Sequence, residues 1–165
     1  GDFLGQAWHH PRGCRHVTHP PIVRPARPDE RFAVLALCRD FHAASGIPFD
    51  FDPAHASRAA QDHIECPHKL CLILEAQGAL RGVLAASVAI SPLAPVRIAQ
   101  ELVFWVDPAH RGRAPLKMIC AYEEWARAEG CAASGLSGLN DPRVARFFGA
   151  AGFALSENKF LKMVG

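Results

Sequence analysis

The stretch from Glu101 to Leu116 combines residue types that can bind phosphate. It consists of an apolar strand, a proline-marked turn, a basic Arg-Gly-Arg loop and the start of a helix. A helix N-terminus leaves its first amides unpaired and carries partial positive charge, so a loop of small residues leading into it can hold a pyrophosphate. Arg111 and Arg113 add cationic groups. The stretch therefore predicts a phosphate-binding strand-loop-helix unit.

Glu101, at the start of the same stretch, is a candidate general base. A carboxylate flanked by apolar strand residues has a raised pKa, which suits proton abstraction near neutral pH. The alternative is an ordinary salt bridge, for instance with Arg97 or with an arginine of the N-terminal segment. The sequence leaves both interpretations open.

The elements that position these residues follow from apolar periodicity and from Pro and Gly punctuation. Strands are predicted at 22–24, 70–76, 80–90, 96–106 and 132–136, with a final pair within 153–164. Helices are predicted at 29–46, 52–66, 114–129 and 140–152. Antiparallel hairpins precede one strand-helix-strand crossover, which indicates a mixed α+β or α/β sheet and not a doubly wound parallel one.

Two details of the strands bear on the site. Gln77-Gly78 is expected to form the turn between the second and third strands. In the strand that ends at Val106, strict alternation places Leu102, Phe104 and Val106 on one face and Val103 and Trp105 on the other. Both faces are apolar, so this strand is expected to be central in the sheet.

Composition limits the classes of protein. The chain of 165 residues fits one domain at 22–165, preceded by a Pro- and His-rich arm at 1–21. Its net charge of +2 is too small for a general polyanion-binding surface, so nucleic acid is not expected as a partner. No apolar run approaches the roughly 18 residues of a membrane span, and no signal peptide opens the chain, so a cytoplasmic protein is expected.

Histidine and cysteine invite a metal hypothesis. The six cysteines form no CxxC pair and are expected to be reduced thiols. The arm carries five potential metal ligands, but their spacing fits no regular zinc pattern. These are His9, His10, Cys14, His16 and His19. No metal is expected, and we predict an arm that is solvated or packed on a neighbouring subunit.

The element order and two motifs together resemble the GNAT N-acetyltransferase superfamily. The first motif is the run 106–114, in which Arg111 and Gly112 match the family's Arg-Gly in register. The second is Asn140 followed at the matching distance by Gly152-Phe153. The resemblance covers residues 22–164. It implies a GNAT-like acyl-CoA N-acyltransferase fold, in which a mixed, mostly antiparallel sheet is flanked by about four helices.

The resemblance also implies a site for acetyl-CoA as co-substrate. The backbone of Phe104 and Val106 would pair with the pantetheine arm, and Phe147 would lie beside the cofactor. Asn140 would either contact the pantetheine or simply begin a helix. The pyrophosphate would be bound at the loop and helix start, with the two arginines neutralising its charge. The residues expected there are Arg111, Gly112, Arg113, Ala114, Leu116 and Lys117.

This chain departs from the family pattern in two places. Ala114 and Leu116 replace the last two loop glycines, and Pro115 between them has no amide hydrogen to offer a phosphate. Phe148 stands where the family often has the tyrosine that protonates the departing thiolate. The only tyrosine, Tyr122, lies on the apolar side of a helix and is predicted to be a core residue.

The implied activity is direct transfer of an acetyl group from acetyl-CoA to an amine of a small molecule or protein. Glu101 would be the general base, at a position where histone acetyltransferase-like members carry a glutamate. The segment between Phe41 and Cys66 would shape the acceptor site. A homodimer is one arrangement compatible with the pattern. The alternative is a catalytically weak or inactive GNAT-fold module that binds CoA or a partner.

Overall fold

A five-stranded sheet lies at the centre of the computed structural model, which describes residues 19–165. The strands are β1 (Ile22–Pro25), β2 (Leu70–Ala76), β3 (Ala79–Ile90), β4 (Arg97–Val106) and β5 (Ala133–Gly135). They lie side by side in chain order. The first three pairings are antiparallel, and β4 and β5 are parallel. The predicted mixed, mostly antiparallel sheet is confirmed.

The described chain has four α-helices, of which the first three pack on the sheet. They are α1 (Arg31–Ser45), α2 (Pro53–Glu65), α3 (Ala114–Ala128) and α4 (Pro142–Ala150). Successive residues of β2 point to opposite faces: Leu72 and Leu74 pack with Met118 of α3, whereas Ile73 packs with Val34 of α1. The sheet therefore has an apolar core on each face, one under α3 and one under α1 and α2. No residue of α4 is fully buried.

The turn between β2 and β3 forms where the sequence predicted it. Gln77 and Gly78 have φ values of 54° and 73°, and Ala76 pairs with Ala79 across the hairpin. Two successive residues with positive φ characterise the tight turn whose twist matches that of paired strands. Glycine adopts such values without steric cost, which explains its place at the second position.

A β-bulge in β4 corrects the predicted alternation. Val103 pairs with Ala85, but the next residue of β3 pairs with Glu101, so Leu102 is an extra residue without a partner. Leu102 is half exposed and does not share a face with Phe104. The bulge shifts the alternation by one residue, and as a result Glu101 lies on the same face as Phe104, the one covered by α3.

The predicted final pair of strands within 153–164 is wrong. Residues 153–165 form no strand, and Leu155, Phe160 and Val164 are 82%, 90% and 95% exposed. A strand needs a neighbour that offers a matching row of backbone groups. The last strand of the sheet, β5, is only three residues long, so it offers few backbone groups with which a further strand could pair.

Several sequence expectations concern residues at or beyond the described range. The predicted arm at 1–21 lies almost entirely outside it, as do His9, His10, Cys14 and His16. Within residues 19–165, no cluster of three or more His, Cys, Asp or Glu side chains is arranged to hold a metal ion. In the same range, none of the helices combines the length and the apolar character needed to cross a membrane.

Candidate active site

The predicted strand-loop-helix unit is formed by β4, a loop and α3. After Val106, Asp107 begins a short 3₁₀ turn, Pro108–His110, and its side chain accepts a hydrogen bond from the Ala109 N–H at 3.0 Å. The chain then passes through residues 111–113, and α3 begins at Ala114. The sequence alone predicted this unit because Asp, Pro and Gly each favour a turn or a helix start by their own geometry, without contacts from distant residues.

The N-terminus of α3 differs from those of α2 and α4. Asp52 and Asp141 cap the latter helices, each accepting a hydrogen bond from a backbone N–H of the first turn. The capping position of α3 is occupied by Arg113, which makes no capping bond, and no acidic residue lies in the first turn. The partial positive charge of this terminus is therefore not neutralised by the helix itself, which favours an anionic ligand.

The two loop arginines have different surroundings. The Arg111 Nε donates a hydrogen bond to the Val106 carbonyl at 2.8 Å, and its guanidinium carbon lies 4.7 Å from the centre of the Trp105 ring. Arg111 is thus exposed but attached to the end of β4. Arg113 is exposed. Gly112 has open space around it, since an added Cβ would meet no atom within 4 Å.

The outer face of α3 next to this loop forms a shallow, open depression. Its lining residues are Arg113, Leu116, Lys117, Cys120, Ala121 and Glu124. Three of the predicted phosphate-site residues, Arg113, Leu116 and Lys117, therefore share one surface. Ala114 and Pro115 are buried beneath it, so Ala114, which replaces a family glycine, also belongs to the core of the protein, whereas the second replacement, Leu116, is exposed.

The edge of β4 beyond Gln100 is open on the side of β5. The parallel pairing covers only Ile98–Gln100 against Ala133–Gly135. The Asp107 N–H donates to the Arg81 carbonyl at 2.7 Å, which fixes the alternation of the antiparallel ladder with β3. By that alternation the backbone N–H and C=O groups of Phe104 and Val106 point toward the open edge, and Arg111 already occupies the Val106 carbonyl.

Aromatic rings from α4 close one end of this open edge. The Phe148 ring stacks on Phe104 with centroids 6.4 Å apart, and Phe147 lies 5.9 Å from Phe148. Phe148 is thus a packing residue at the position of the family's tyrosine. Asn140 is exposed, and the side chain that caps α4 belongs to Asp141. The helix thus begins within Asn140-Asp141-Pro142 as the sequence predicted, but the cap is Asp141 and not Asn140, whose contact with pantetheine stays a prediction.

Glu101 is the one charged residue buried in the described part of the chain, at 7% exposure. Its Oε2 accepts a hydrogen bond from the Ser137 N–H at 2.8 Å. Burial raises the pKa of the carboxyl to about 7, although the bond from Ser137 opposes that rise. The predicted alternative of a salt bridge with Arg97 is wrong, since Arg97 pairs with Glu129 at 3.4 Å.

Two groups near Glu101 were not recognised from the sequence. Ser137 follows β5, 36 residues further along the chain, and nothing local indicates that its amide meets the carboxylate. Tyr122 is fully buried, as predicted for a core residue, but its hydroxyl also donates to the Gly135 carbonyl at 2.8 Å. Its position as a lone tyrosine on an apolar helix face was the one available signal, because a buried hydroxyl needs a partner.

The region between α1 and α2 holds an aromatic cluster. The His42 ring lies 5.5 Å from Phe51 and 6.0 Å from Phe49, and the Arg39 guanidinium carbon lies 5.6 Å from the centre of the Phe51 ring. Phe49 is half exposed. Asp52, which the sequence placed in the acceptor region, is engaged as the cap of α2. The cluster offers one imidazole and one accessible aromatic face.

The buried carboxylate makes the stability of the fold depend on pH. The pKa of Glu101 is about 7 in the folded protein against an ordinary value of 4.5, so its contribution to stability is complete below pH 4.5 and is lost as the pH rises through 7. We expect Glu101→Gln to remove this loss, with a relative gain on the order of 1 to 3 kcal/mol between pH 5 and pH 8.

The free energy of unfolding, measured by urea denaturation at both pH values, checks this expectation. Glu157→Gln, at an exposed position near the C-terminus, is the control and should behave like the wild type. Equal pH dependence in the wild type and in Glu101→Gln would contradict the assigned burial of the charge.

Similarity to solved structures identifies the fold of the chain. No protein-family model and no curated protein sequence matches the chain. A ribosomal-protein-alanine N-acetyltransferase from Brucella melitensis biovar Abortus 2308 superimposes with a TM-score of 0.67 at 14% identity, over 88% of this chain and 100% of its own.

Two further solved structures are similar over nearly their whole lengths. The first, AAC(6')-Iy in complex with a bisubstrate analogue, CoA-S-monomethyl-acetylneamine, gives a TM-score of 0.72 at 16% identity, over 89% of this chain and 99% of that one. A mutant of the BH1408 protein from Bacillus halodurans gives 0.73 at 17%, over 87% and 99%. At such identities the superpositions establish the fold alone. The chain has the GNAT acyl-CoA N-acyltransferase fold.

Proposed function

We propose that the protein is an acetyl-CoA-dependent N-acetyltransferase, an acyltransferase that passes the acetyl group directly to an amine of a small molecule or protein. The observation that carries the proposal is the uncapped, cationic N-terminus of α3, which lies beside an open strand edge on the same face of the sheet as a buried carboxylate. The proposal includes no metal and keeps the cytoplasmic location expected from the sequence. A homodimer also remains a prediction.

The loop and the strand edge supply what each part of acetyl-CoA needs. The pyrophosphate would lie at the N-terminus of α3, held by the backbone amides of residues 112–114, 116 and 117 and by Arg111 and Arg113. Pantetheine carries two amide groups and would pair with the exposed backbone of Phe104 and the N–H of Val106, as an added strand does. This arrangement would direct the thioester along β4 toward Glu101.

Glu101 would accept the proton that the amine loses when its nitrogen attacks the thioester carbonyl carbon. With a pKa of about 7, a large fraction of the Glu101 carboxylate is ionised near neutral pH and can act as a base. The same pKa gives the carboxylate enough proton affinity to hold the proton that it accepts. Transfer directly or through one ordered water is within the usual reach of such groups. The hydrogen bond from Ser137 occupies Oε2, which leaves Oε1 for the proton.

The tetrahedral intermediate would then collapse with cleavage of the carbon–sulfur bond. Phe148 has no hydroxyl to protonate the leaving sulfur, so CoA would depart as a thiolate or take a proton from water. A thiol pKa of about 8.5 makes that thiolate an acceptable leaving group near neutral pH. No covalent enzyme intermediate is required.

The acceptor amine would enter from the region between α1 and α2. The aromatic cluster there includes the half-exposed Phe49 ring, and aromatic faces attract ammonium groups. Several of the structurally similar proteins are aminoglycoside acetyltransferases. Their substrate is a property of those proteins and is not assigned to this chain. For this chain we propose an amine without naming the molecule.

One observation favours the alternative of a weak or inactive CoA-binding module. The Phe148 ring stacks on Phe104 at the open edge of β4, where a catalytic tyrosine would be expected from the resemblance. Binding without acetyl transfer to any amine would support this module. Binding and transfer are therefore measured separately.

We expect Arg113→Ala to weaken acetyl-CoA binding roughly tenfold, because it removes a cation at the helix start that would contact phosphate. Arg127→Ala is the matched control: it removes the same charge from the last turn of α3 and should leave affinity unchanged. Isothermal titration calorimetry with acetyl-CoA provides the dissociation constants. Equal losses in both variants would indicate a nonspecific charge effect and would overturn the assignment of the phosphate site.

We expect acetyl-CoA to protect Cys120 from alkylation by iodoacetamide. Cys120 lies in the depression on the outer face of α3, beside the proposed phosphate site, and is the exposed cysteine among residues 19–165. Peptide mapping by mass spectrometry would show less label at Cys120 and an unchanged pattern at Cys66, which lies outside this depression. An unprotected Cys120 at saturating acetyl-CoA would show that the bound cofactor does not cover this face of α3.

For the chemical step, we expect kcat/KM of the wild type to rise with pH and to level off above about 7, as the Glu101 carboxyl loses its proton. Glu101→Gln should lower kcat by about 10²- to 10⁴-fold and abolish this limb. A thiol-release assay with acetyl-CoA and a panel of primary amines measures both effects. Glu157→Gln serves as the control, and an unaltered rate in Glu101→Gln would exclude the residue as the base.

A further inference from the structure

The hydroxyl of Tyr122 has a specific partner inside the core. The residue is fully buried on α3 and packs with Leu84, Met118 and other apolar residues. Its hydroxyl donates to the Gly135 carbonyl at 2.8 Å. Phenylalanine would fill the same space without the cost of burying a hydroxyl, so the hydrogen bond is what distinguishes tyrosine here.

The accepting residue, Gly135, ends β5 at the point where the sheet opens. Gly135 pairs with Gln100 of β4, and no later residue of this segment pairs with β4. Two residues further on, the Ser137 N–H donates to Glu101 Oε2 at 2.8 Å. The segment 135–137 is therefore held at one end by Tyr122 and holds the carboxylate of Glu101 at the other.

Ser137 lies in a segment with few backbone restraints. β5 is only three residues long and is the last strand of the sheet, so it is paired on one side alone. Residues 136–140 form no regular element, although Leu136 packs against the apolar core under α3. Beside that packing, the buried hydrogen bond from Tyr122 is a directional contact that fixes the end of this short edge strand.

We propose that Tyr122 is a positioning residue for Glu101, acting through the segment 135–137 to keep the Ser137 N–H on the carboxylate. The importance of this role for catalysis rests on the proposed function, in which Glu101 is the base. The titratable group that faces Glu101 among the described residues is Tyr122 itself, from α3; Ala86 across the β3 ladder and Ser137 carry no charge. Burial and the nearby Glu101 carboxylate both raise the pKa of Tyr122, so its hydroxyl keeps its proton near neutral pH.

The direct test is the pKa of Glu101, measured by NMR on protein with ¹³C-labelled glutamate side chains, with Glu101→Gln identifying the resonance. In Tyr122→Phe we expect this pKa to rise by about half a unit or more, because the ionised carboxylate loses a hydrogen bond. Met118→Leu is the matched control, a fully buried change on the same helix that removes no hydrogen bond, and should leave the pKa unchanged.

A second variant tests the route. Ser137→Pro removes the donating N–H together with the Ser137 hydroxyl, both of which lower the pKa of Glu101, and should raise this pKa by at least as much. If Tyr122 acts through that amide, the double variant should show no further rise, since the two changes share one interaction. Additive shifts, or a Tyr122→Phe protein with the wild-type pKa, would overturn the proposal.

The test of the positioning role of Tyr122 can succeed or fail independently of the test of the proposed function. The NMR titration requires no acetyl transfer, so an inactive wild-type protein would remove the catalytic role and leave the positioning result intact. In an active protein, the acidic limb of kcat/KM should move with the NMR pKa in Tyr122→Phe, whereas KM for acetyl-CoA should stay within about twofold. Loss of activity with an unmoved limb would indicate a merely structural effect.

Discussion

β4 and β5 run side by side for only three residue pairs and then part. The whole candidate site depends on this short pairing, because it leaves the rest of β4 without a neighbour on that side. Beyond it, β4 has the backbone groups of a strand without a neighbouring strand, and the free edge faces the loop that leads into α3. Unpaired backbone at a protected edge is costly unless a ligand or solvent satisfies it. The candidate site combines this open edge with the cationic start of α3 and the buried carboxylate of Glu101.

The two ends of the site have opposite electrostatic character. At the loop, the arginine side chains place positive charge at the exposed surface. No acidic residue in the first turn of α3 balances this charge. Around Glu101, burial makes negative charge unfavourable and the pKa rises to about 7. An anion is thus favoured at one end and a proton at the other, although the net charge of the chain is only +2. A local arrangement of charge, not an overall excess, underlies the proposed chemistry.

The sequence predicted those parts that short-range rules determine. Asp107, Pro108 and Pro115 mark a turn and a helix start by their own geometry, and Gln77-Gly78 marks a hairpin in the same way. It did not predict the bond between Ser137 and Glu101, which joins positions that come together only through folding. The prediction of the final strands was wrong for a related reason. An apolar pattern indicates a tendency to form a strand, but strand pairing also requires a neighbouring strand of sufficient length.

The bulge at Leu102 limits how this protein can change over evolution. Because of that one extra residue, the Glu101 carboxylate and the Phe104 side chain lie on a single face of the sheet. Substitution of a side chain leaves this alternation intact. Deletion or insertion of one residue between Glu101 and Phe104 would instead turn one of them to the opposite face. In this strand, length is more tightly constrained than residue identity.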